Sequence, residues 1–241
     1  MILDNPKEVT EKKIFPCIKE CFKDNLKSVI LYGSAVTDSF NAASSDINIL
    51  ILINKNNANS FVEFGKKSKK IDRKYRFSIL ILTFEEFINS ADVFPMEYHD
   101  IYDCHIVIHG ENIEGMLKLT SNNLRHQLEE RLRGFSNLFR QAIVDSDGNL
   151  KILKQTTAIV PGAIKPILRS ALRLKKVDVK NLTDKMVFEK IGQEYSVDMS
   201  VFSTDITKLK YLDMISVITK ILEVMDKITM QIDAAKFAGN R

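Results

Sequence analysis

Residues 31–49 read LYGSAVTDSFNAASSDINI, and this stretch decides the fold of the N-terminal half of the chain. The apolar run that ends at Tyr32 predicts a buried strand, and Ile47 begins a second one. Between them, Gly33 lets the backbone come close to a phosphate, and backbone amides together with the Ser34 hydroxyl at a helix start can hold the phosphate oxygens. The stretch therefore predicts a strand, a phosphate-binding turn and a second strand.

Two polar side chains stand at the start of the second predicted strand. Asp46 and Asn48 are two residues apart, so both point to the same face of a sheet. A carboxylate and an amide beside a phosphate-binding turn form the arrangement used where Mg²⁺ bridges protein and triphosphate oxygens. One face of the predicted sheet therefore presents a metal-binding pair beside the turn.

The segments around this unit complete an α/β domain. Apolar, β-branched runs predict further strands, and apolar residues at helical spacing predict helices between them. The predicted strands are 28–32, 47–53, 76–83 and 101–109, and the predicted helices are 8–25, 61–71 and 84–90. We expect a mixed sheet with helices packed on it, one domain over residues 1–115.

The second half of the sequence is predicted to be all-helical. From Leu124 to Ile143 the apolar residues recur every three to four positions with charged residues between them, which is typical of an amphipathic helix. Three similar stretches follow, at 150–176, 183–195 and 211–232. Pro161 and Pro166 should kink or divide the first of them. Residues 116–241 are therefore expected to form a helical bundle, which makes the whole chain α+β.

The composition is that of a globular protein without a dominant charge. Of its 241 residues, 45% are hydrophobic and 27% charged, and the formal net charge of +4 does not indicate a nucleic-acid-binding protein. Its three cysteines have no disulfide-framework spacing, so a reducing, cytoplasmic setting is expected. No apolar run approaches the about 18 residues that a membrane span needs, so a membrane partner is not expected.

The segment from Gly33 to Asn48 resembles the DNA polymerase β-like nucleotidyltransferase superfamily, whose pattern is Gly-Ser followed by Ser-Asp-x-Asp. Downstream segments are similar to a bacterial branch of that superfamily, at residues 82–86, 92–100, 109–111 and 123–133. The resemblance implies transfer of a nucleoside monophosphate from a Mg²⁺-bound triphosphate to an acceptor. It also implies that Gly33 and Ser34 bind the nucleotide phosphates and that Asp46 binds both nucleotide and metal.

The sequence also departs from the superfamily pattern. There, two strand carboxylates hold divalent metal, and a third acid on a later strand serves as metal ligand or general base. Here Asn48 takes the second position, and Arg76 or Ser78 stands where the third acid is expected. Carried over, the catalytic positions are Asp46, Asn48 and Ser78, and the resemblance implies only weak Mg²⁺ binding, at Asp46 and Asn48. Because an amide and a hydroxyl carry no charge, catalysis should suffer more than binding.

Two hypotheses about function stay open at this point. The first is an enzyme with low or no nucleotidyl transfer, whose substrates are a nucleoside triphosphate and an unidentified acceptor. The second is a non-catalytic nucleotide-binding or regulatory module whose helical half binds a protein partner, as when nucleotidyltransferase domains pair with toxin or antitoxin partners. Neither the acceptor nor self-association into a homo-oligomer follows from the sequence.

Two weaker candidates lie outside this site. His105 and His109 belong to the last predicted strand and are expected on one face, where a metal or acid–base role is the alternative to ordinary surface histidines. The basic run from Lys66 to Lys74 is typical of a solvated helix face, with contact to a nucleotide or a nucleic-acid backbone as the alternative.

Overall fold

The computed structural model describes residues 5–37, 40, 42 and 45–235, and at 72 and 74 it describes only the backbone. The chain divides into two compact units, Met1–Leu119 and Thr120–Arg241. The sequence placed this division after residue 115, and independent folding of each unit stays a prediction. Part of the connector between Ser34 and Asp46 lies outside the described residues. Within the described ranges, none of the helices combines the length and the hydropathy of a membrane span.

A four-stranded mixed sheet forms the centre of the N-terminal unit. Its strands are β1 (Leu26–Tyr32), β2 (Ile47–Ile53), β3 (Phe77–Thr83) and β4 (His105–Gly110). Their order is β3-β2-β1-β4, with β1 antiparallel to both β2 and β4, and with β2 parallel to β3. Every residue of β2 except Asn48 is buried, as expected of an inner strand that is covered on both faces. The predicted mixed sheet is thereby confirmed.

Helices cover both faces of this sheet. On the first face pack α1 (Pro6–Val9), α2 (Phe15–Phe22) and α3 (Ala58–Tyr75), and on the second face pack α4 (Phe84–Asn89) and α5 (Pro95–Asp103). Alternation along β2 divides its side chains between two cores: Ile49 and Ile51 belong to the first, and Leu50 and Leu52 to the second. Each fully buried aliphatic side chain contributes about 1.5–3 kcal/mol, so the sheet is the most strongly stabilised part of this unit.

The first helical segment contains a π-helical turn. Thr10–Ile14 is π-helical between α1 and α2, and the Phe15 N–H donates to the Thr10 carbonyl, five residues back. Pro16 follows at the start of α2 and has no N–H, so the regular α-helical ladder is interrupted there. The single helix expected over residues 8–25 is therefore divided by a π-helical turn.

One predicted strand begins in the wrong place. We expected a strand over 101–109, whereas α5 continues to Asp103 and β4 begins only at His105. Pro95 in the first turn and Glu97 beside it are typical of a helix start. Ile101 is buried in the core between α5 and the sheet, so its apolar character reflects helix packing and not strand alternation.

The C-terminal unit is helical, as predicted. Its helices are α6 (Ser121–Val144), α7 (Leu150–Ala158), α8 (Val160–Leu174), α9 (Asp184–Glu194) and α10 (Tyr211–Ala234). Side-chain oxygens of Thr120, Asn149 and Thr183 cap the starts of α6, α7 and α9. Pro161, in the first turn of α8, follows the break between α7 and α8, whereas Pro166 lies inside α8. α6 and α10 contact each other, and α8 contacts α6 and α9, so their apolar faces form one core.

Candidate functional site

A row of polar side chains crosses the sheet where β2 and β3 begin. Asn48 is the register partner of Tyr32 on β1 and of Ser78 on β3, and Tyr32 is in turn the partner of His105 on β4. Directly paired residues point to the same face of a sheet. Tyr32 packs against the core beneath α4 and α5, which places the whole row on that face. Asn48 and Ser78, two predicted catalytic positions, are therefore brought side by side.

The predicted phosphate-binding turn follows β1 directly. Gly33–Val36 is a 3₁₀ turn that contacts the start of β2, and the Gly33 N–H donates to the Cys104 carbonyl at 3.0 Å. Gly33 has φ +72°, and a β-carbon added there would stand 3.1 Å from Asn48 Nδ2. The Asn48 amide thus lies directly against the glycine, which agrees with the predicted proximity of turn and strand. That Gly33 and Ser34 bind nucleotide stays a prediction.

The side chain of Asp46 forms an ion pair with Arg76. It stands just before β2, and its Oδ1 accepts hydrogen bonds from Arg76 Nε at 3.1 Å and Arg76 Nη2 at 2.9 Å. The Arg76 carbonyl in turn accepts from the Ile47 N–H at 3.0 Å, which extends the β2–β3 pairing by one step. Both side chains are about half exposed, at 53% for Asp46 and 50% for Arg76. The pair therefore faces solvent at the open end of the two parallel strands.

This set of donors does not make a complete divalent-metal site. Mg²⁺ in nucleotide enzymes is held by carboxylates that offset its charge, and here Asn48 and Ser78 offer neutral oxygens. The carboxylate of Asp46 already has a guanidinium beside it. Among the described residues, no group of three or more His, Cys, Asp and Glu side chains could hold a metal ion. Weak Mg²⁺ binding by Asp46 and Asn48 stays a prediction.

Helix α5 brings two carboxylates toward the same face, which the sequence analysis did not assign to the site. Burial raises the pKa of Tyr32 above its ordinary value, and the negative charges of Asp100 and Glu97 raise it further. Both acids lie on α5, which packs beside the turn at Gly33–Val36. The helix-start pattern at Pro95 is the signal that would have placed them there. They lie near β1, two strands away from Arg76.

The two histidines of the last strand do not share a face. A bulge shifts the β1–β4 register, so that Ile30 pairs with Val107 but Val29 pairs with His109. His105 consequently lies in the row with Tyr32, whereas the His109 ring contacts Phe15 of α2, with 5.2 Å between ring centroids. The expectation that His105 and His109 share a face is therefore wrong.

In the basic segment of α3, Lys67 forms ion pairs with two glutamates. Lys67 Nζ lies 2.7 Å from Glu20 Oε1 and 2.6 Å from Glu63 Oε1. These hydrogen bonds raise the pKa of Lys67 above its ordinary value. This arrangement matches the solvated helix face that the sequence analysis described as typical of such a run.

Comparison with known proteins assigns the class of the chain. Residues 11–108, which include the turn, both strands and Ser78, match the family model of the nucleotidyltransferase domain. The chain therefore contains a nucleotidyltransferase domain, as the resemblance predicted.

One solved structure extends the comparison to the helical unit. Spectinomycin adenyltransferase AAD(9) from Enterococcus faecialis, solved with ATP and spectinomycin, is similar over 92% of this chain and 98% of that chain, with a TM-score of 0.57. Sequence identity is 12%, so the likeness shows the fold alone. No curated protein matches the sequence.

Proposed function

We propose that the N-terminal unit binds a nucleoside triphosphate at Gly33, Ser34, Asp46 and Asn48, and that nucleotidyl transfer at this site is impaired. In the reaction of the superfamily, an acceptor hydroxyl attacks the α-phosphorus in line, the α–β phosphoanhydride bond breaks and pyrophosphate leaves. Catalysis of that step depends on positive charge placed to stabilise the transition state. Binding requires less, because a turn with backbone amides already holds phosphate oxygens.

One observation carries this proposal: where the resemblance places three carboxylates, this chain has Asp46, then Asn48, then Arg76 or Ser78, and Asp46 is paired with Arg76. The close contact of Asn48 with Gly33 supports a nucleotide site, because the glycine leaves the backbone accessible beside a polar side chain. The likeness to an adenyltransferase solved with ATP makes ATP the first triphosphate to test.

A second candidate is a non-catalytic module that regulates or binds a protein partner. Large apolar side chains on the surface of the helical unit support it, since such groups mark interaction surfaces when they cluster. The most exposed of them are Leu138, Val144, Ile159, Leu212 and Met230. In that case the nucleotide would act as a signal, or only the scaffold would be retained.

Titration and transfer separate an active enzyme from a site that only binds nucleotide. ATP, GTP, CTP and UTP would each be titrated into the full chain with Mg²⁺, and the triphosphate that binds, labelled at the α-phosphate, would then be incubated with chain and cell extract. Label on a macromolecule or small molecule, absent with Asp46→Ala, selects the enzyme. Nucleotide binding without label transfer selects the impaired site or the regulatory module. Absence of binding to all four would refute the nucleotide-binding proposal.

A further inference from the structure

We propose that Arg76 is a built-in cation that binds the nucleotide phosphates without a divalent metal; this inference rests on the proposed nucleotide site. The guanidinium belongs to the residue just before β3, and it is hydrogen-bonded to Asp46, the residue just before β2. Its planar N–H donors can bind phosphate oxygens in pairs, and the guanidinium keeps its charge at physiological pH. It is thus suited to take the place that a metal would occupy between protein and triphosphate.

The charge of the site supports this substitution. Among the four residues at the starts of β2 and β3, Asp46 contributes one negative charge and Arg76 one positive charge, while Asn48 and Ser78 are neutral, so these four residues sum to zero. A site with three carboxylates repels a triphosphate until cations neutralise it. This site carries its neutralising cation in the chain, and a triphosphate can approach it without one.

The backbone holds Arg76 in a specific and unfavourable conformation. Its φ is +51°, in the left-handed region that residues with a β-carbon rarely adopt. The hydrogen bond from the Ile47 N–H to the Arg76 carbonyl and the ion pair with Asp46 both hold it there. Strained residues that the surrounding structure fixes in this way are concentrated at functional sites. With its side chain half exposed, the guanidinium is presented to solvent at the mouth of the two parallel strands.

The acids of α5 add negative charge on the side of β1. Their influence is seen at Tyr32 on β1, whereas the guanidinium of Arg76 is hydrogen-bonded to Asp46 just before β2.

The test is a calorimetric titration. The triphosphate that is found to bind is titrated into the full chain, once with Mg²⁺ and once with EDTA. The inference predicts affinities within about threefold of each other, because the chain supplies the cation. Arg76→Gly should weaken metal-free binding by about tenfold or more without lowering the melting temperature, since glycine accepts the positive φ. Arg76→Lys keeps the charge but not the paired donors, so it should retain only part of the binding. Arg140→Ala removes an arginine of similar exposure, paired with Asp226 in the helical unit, and should change nothing.

Phosphate binding by Arg76 and binding through a metal predict opposite effects of Asp46→Asn on nucleotide affinity. If Arg76 binds phosphate, loss of the competing carboxylate should free the guanidinium and raise metal-free affinity, whereas a metal-dependent site should lose affinity. Binding that requires Mg²⁺, or Arg76→Gly that binds in EDTA like the parent, would overturn the role of Arg76 and leave the proposed function intact. Failure of the parent to bind with or without Mg²⁺ would overturn both.

Discussion

The carboxamide of Asn48 lies against Gly33, so close that a β-carbon at Gly33 would stand 3.1 Å from Asn48 Nδ2. Gly33→Ala should therefore lower the free energy of unfolding by about 1 kcal/mol or more, because φ is +72° and Asn48 must also move. The same change should weaken nucleotide binding, since the turn and the start of β2 are displaced together. Urea unfolding and calorimetric titration measure the two effects.

Gly134→Ala is the matched control for that substitution. Gly134 lies inside α6, and a β-carbon added there meets nothing within 4 Å. Alanine in a helix interior is favoured over glycine by about 0.5–1 kcal/mol, so this variant should be more stable and bind nucleotide unchanged. Equal effects of the two substitutions would show that Gly33 has no special place in the site.

Restoring the missing acids should make nucleotide binding depend on metal. Asn48 and Ser78 are register partners on parallel strands, so Asn48→Asp together with Ser78→Asp places two carboxylates side by side near Asp46. We expect the double variant to bind triphosphate more tightly with Mg²⁺ than with EDTA, and to transfer label slowly.

Arg76→Ala in the same background removes the competing cation and belongs in that series. Mg²⁺ should then be needed more strictly, because only metal remains to offset the carboxylates. Binding that does not respond to Mg²⁺ in either variant would argue against the assignment of these strands to the phosphate site.

Acid should weaken the unit at the start of α4. Thr83 and Glu86 form a capping box, and hydrogen bonds from the Thr83 backbone and side chain lower the pKa of Glu86 below its ordinary value of 4.5. A carboxyl group whose pKa is lower in the folded state binds more protons when unfolded, so its contribution is present above that ordinary value and is lost as the pH falls below it. Glu86→Gln should remove this part of the acid dependence, as urea unfolding from pH 7 to pH 3.5 would measure. A parent and variant with the same pH slope would contradict the assignment.

The buried hydroxyl of Thr157 is expected to cost stability. Thr157 is 3% exposed on α7, and its Oγ1 has no hydrogen-bond partner among the described residues. Thr157→Val replaces that hydroxyl with a methyl group of similar shape and should raise the free energy of unfolding by about 1–2 kcal/mol.

Thr229→Val provides the comparison. Thr229 is similarly buried, but its Oγ1 donates to the Met225 carbonyl at 2.8 Å, so the substitution removes a made hydrogen bond and should not stabilise. Thermal unfolding of both variants decides the point, and a less stable Thr157→Val would show that the hydroxyl has a partner, such as a buried water.

Sequence patterns predicted the elements of this fold better than their contacts. The apolar runs at β1, β2 and β3, and the turn at Gly33, follow from local residue type and alternation. The ion pair between Asp46 and Arg76 does not, because it depends on the parallel pairing of two strands thirty residues apart along the chain. The bulge that separates His105 from His109 also depends on pairing, and no single residue marks it. The strand predicted to begin at residue 101 was wrong for a different reason, since a short apolar run fits a helix and a strand equally well.

Pyrophosphate release tests the central claim most directly. The full chain would be mixed with its preferred triphosphate, Mg²⁺ and cell extract as the source of acceptor, and bound nucleotide and released pyrophosphate would be measured in the same sample. Our account predicts bound, intact triphosphate and no pyrophosphate above the level of Asp46→Ala. Rapid pyrophosphate release by the unaltered chain, abolished by Asp46→Ala, would contradict it.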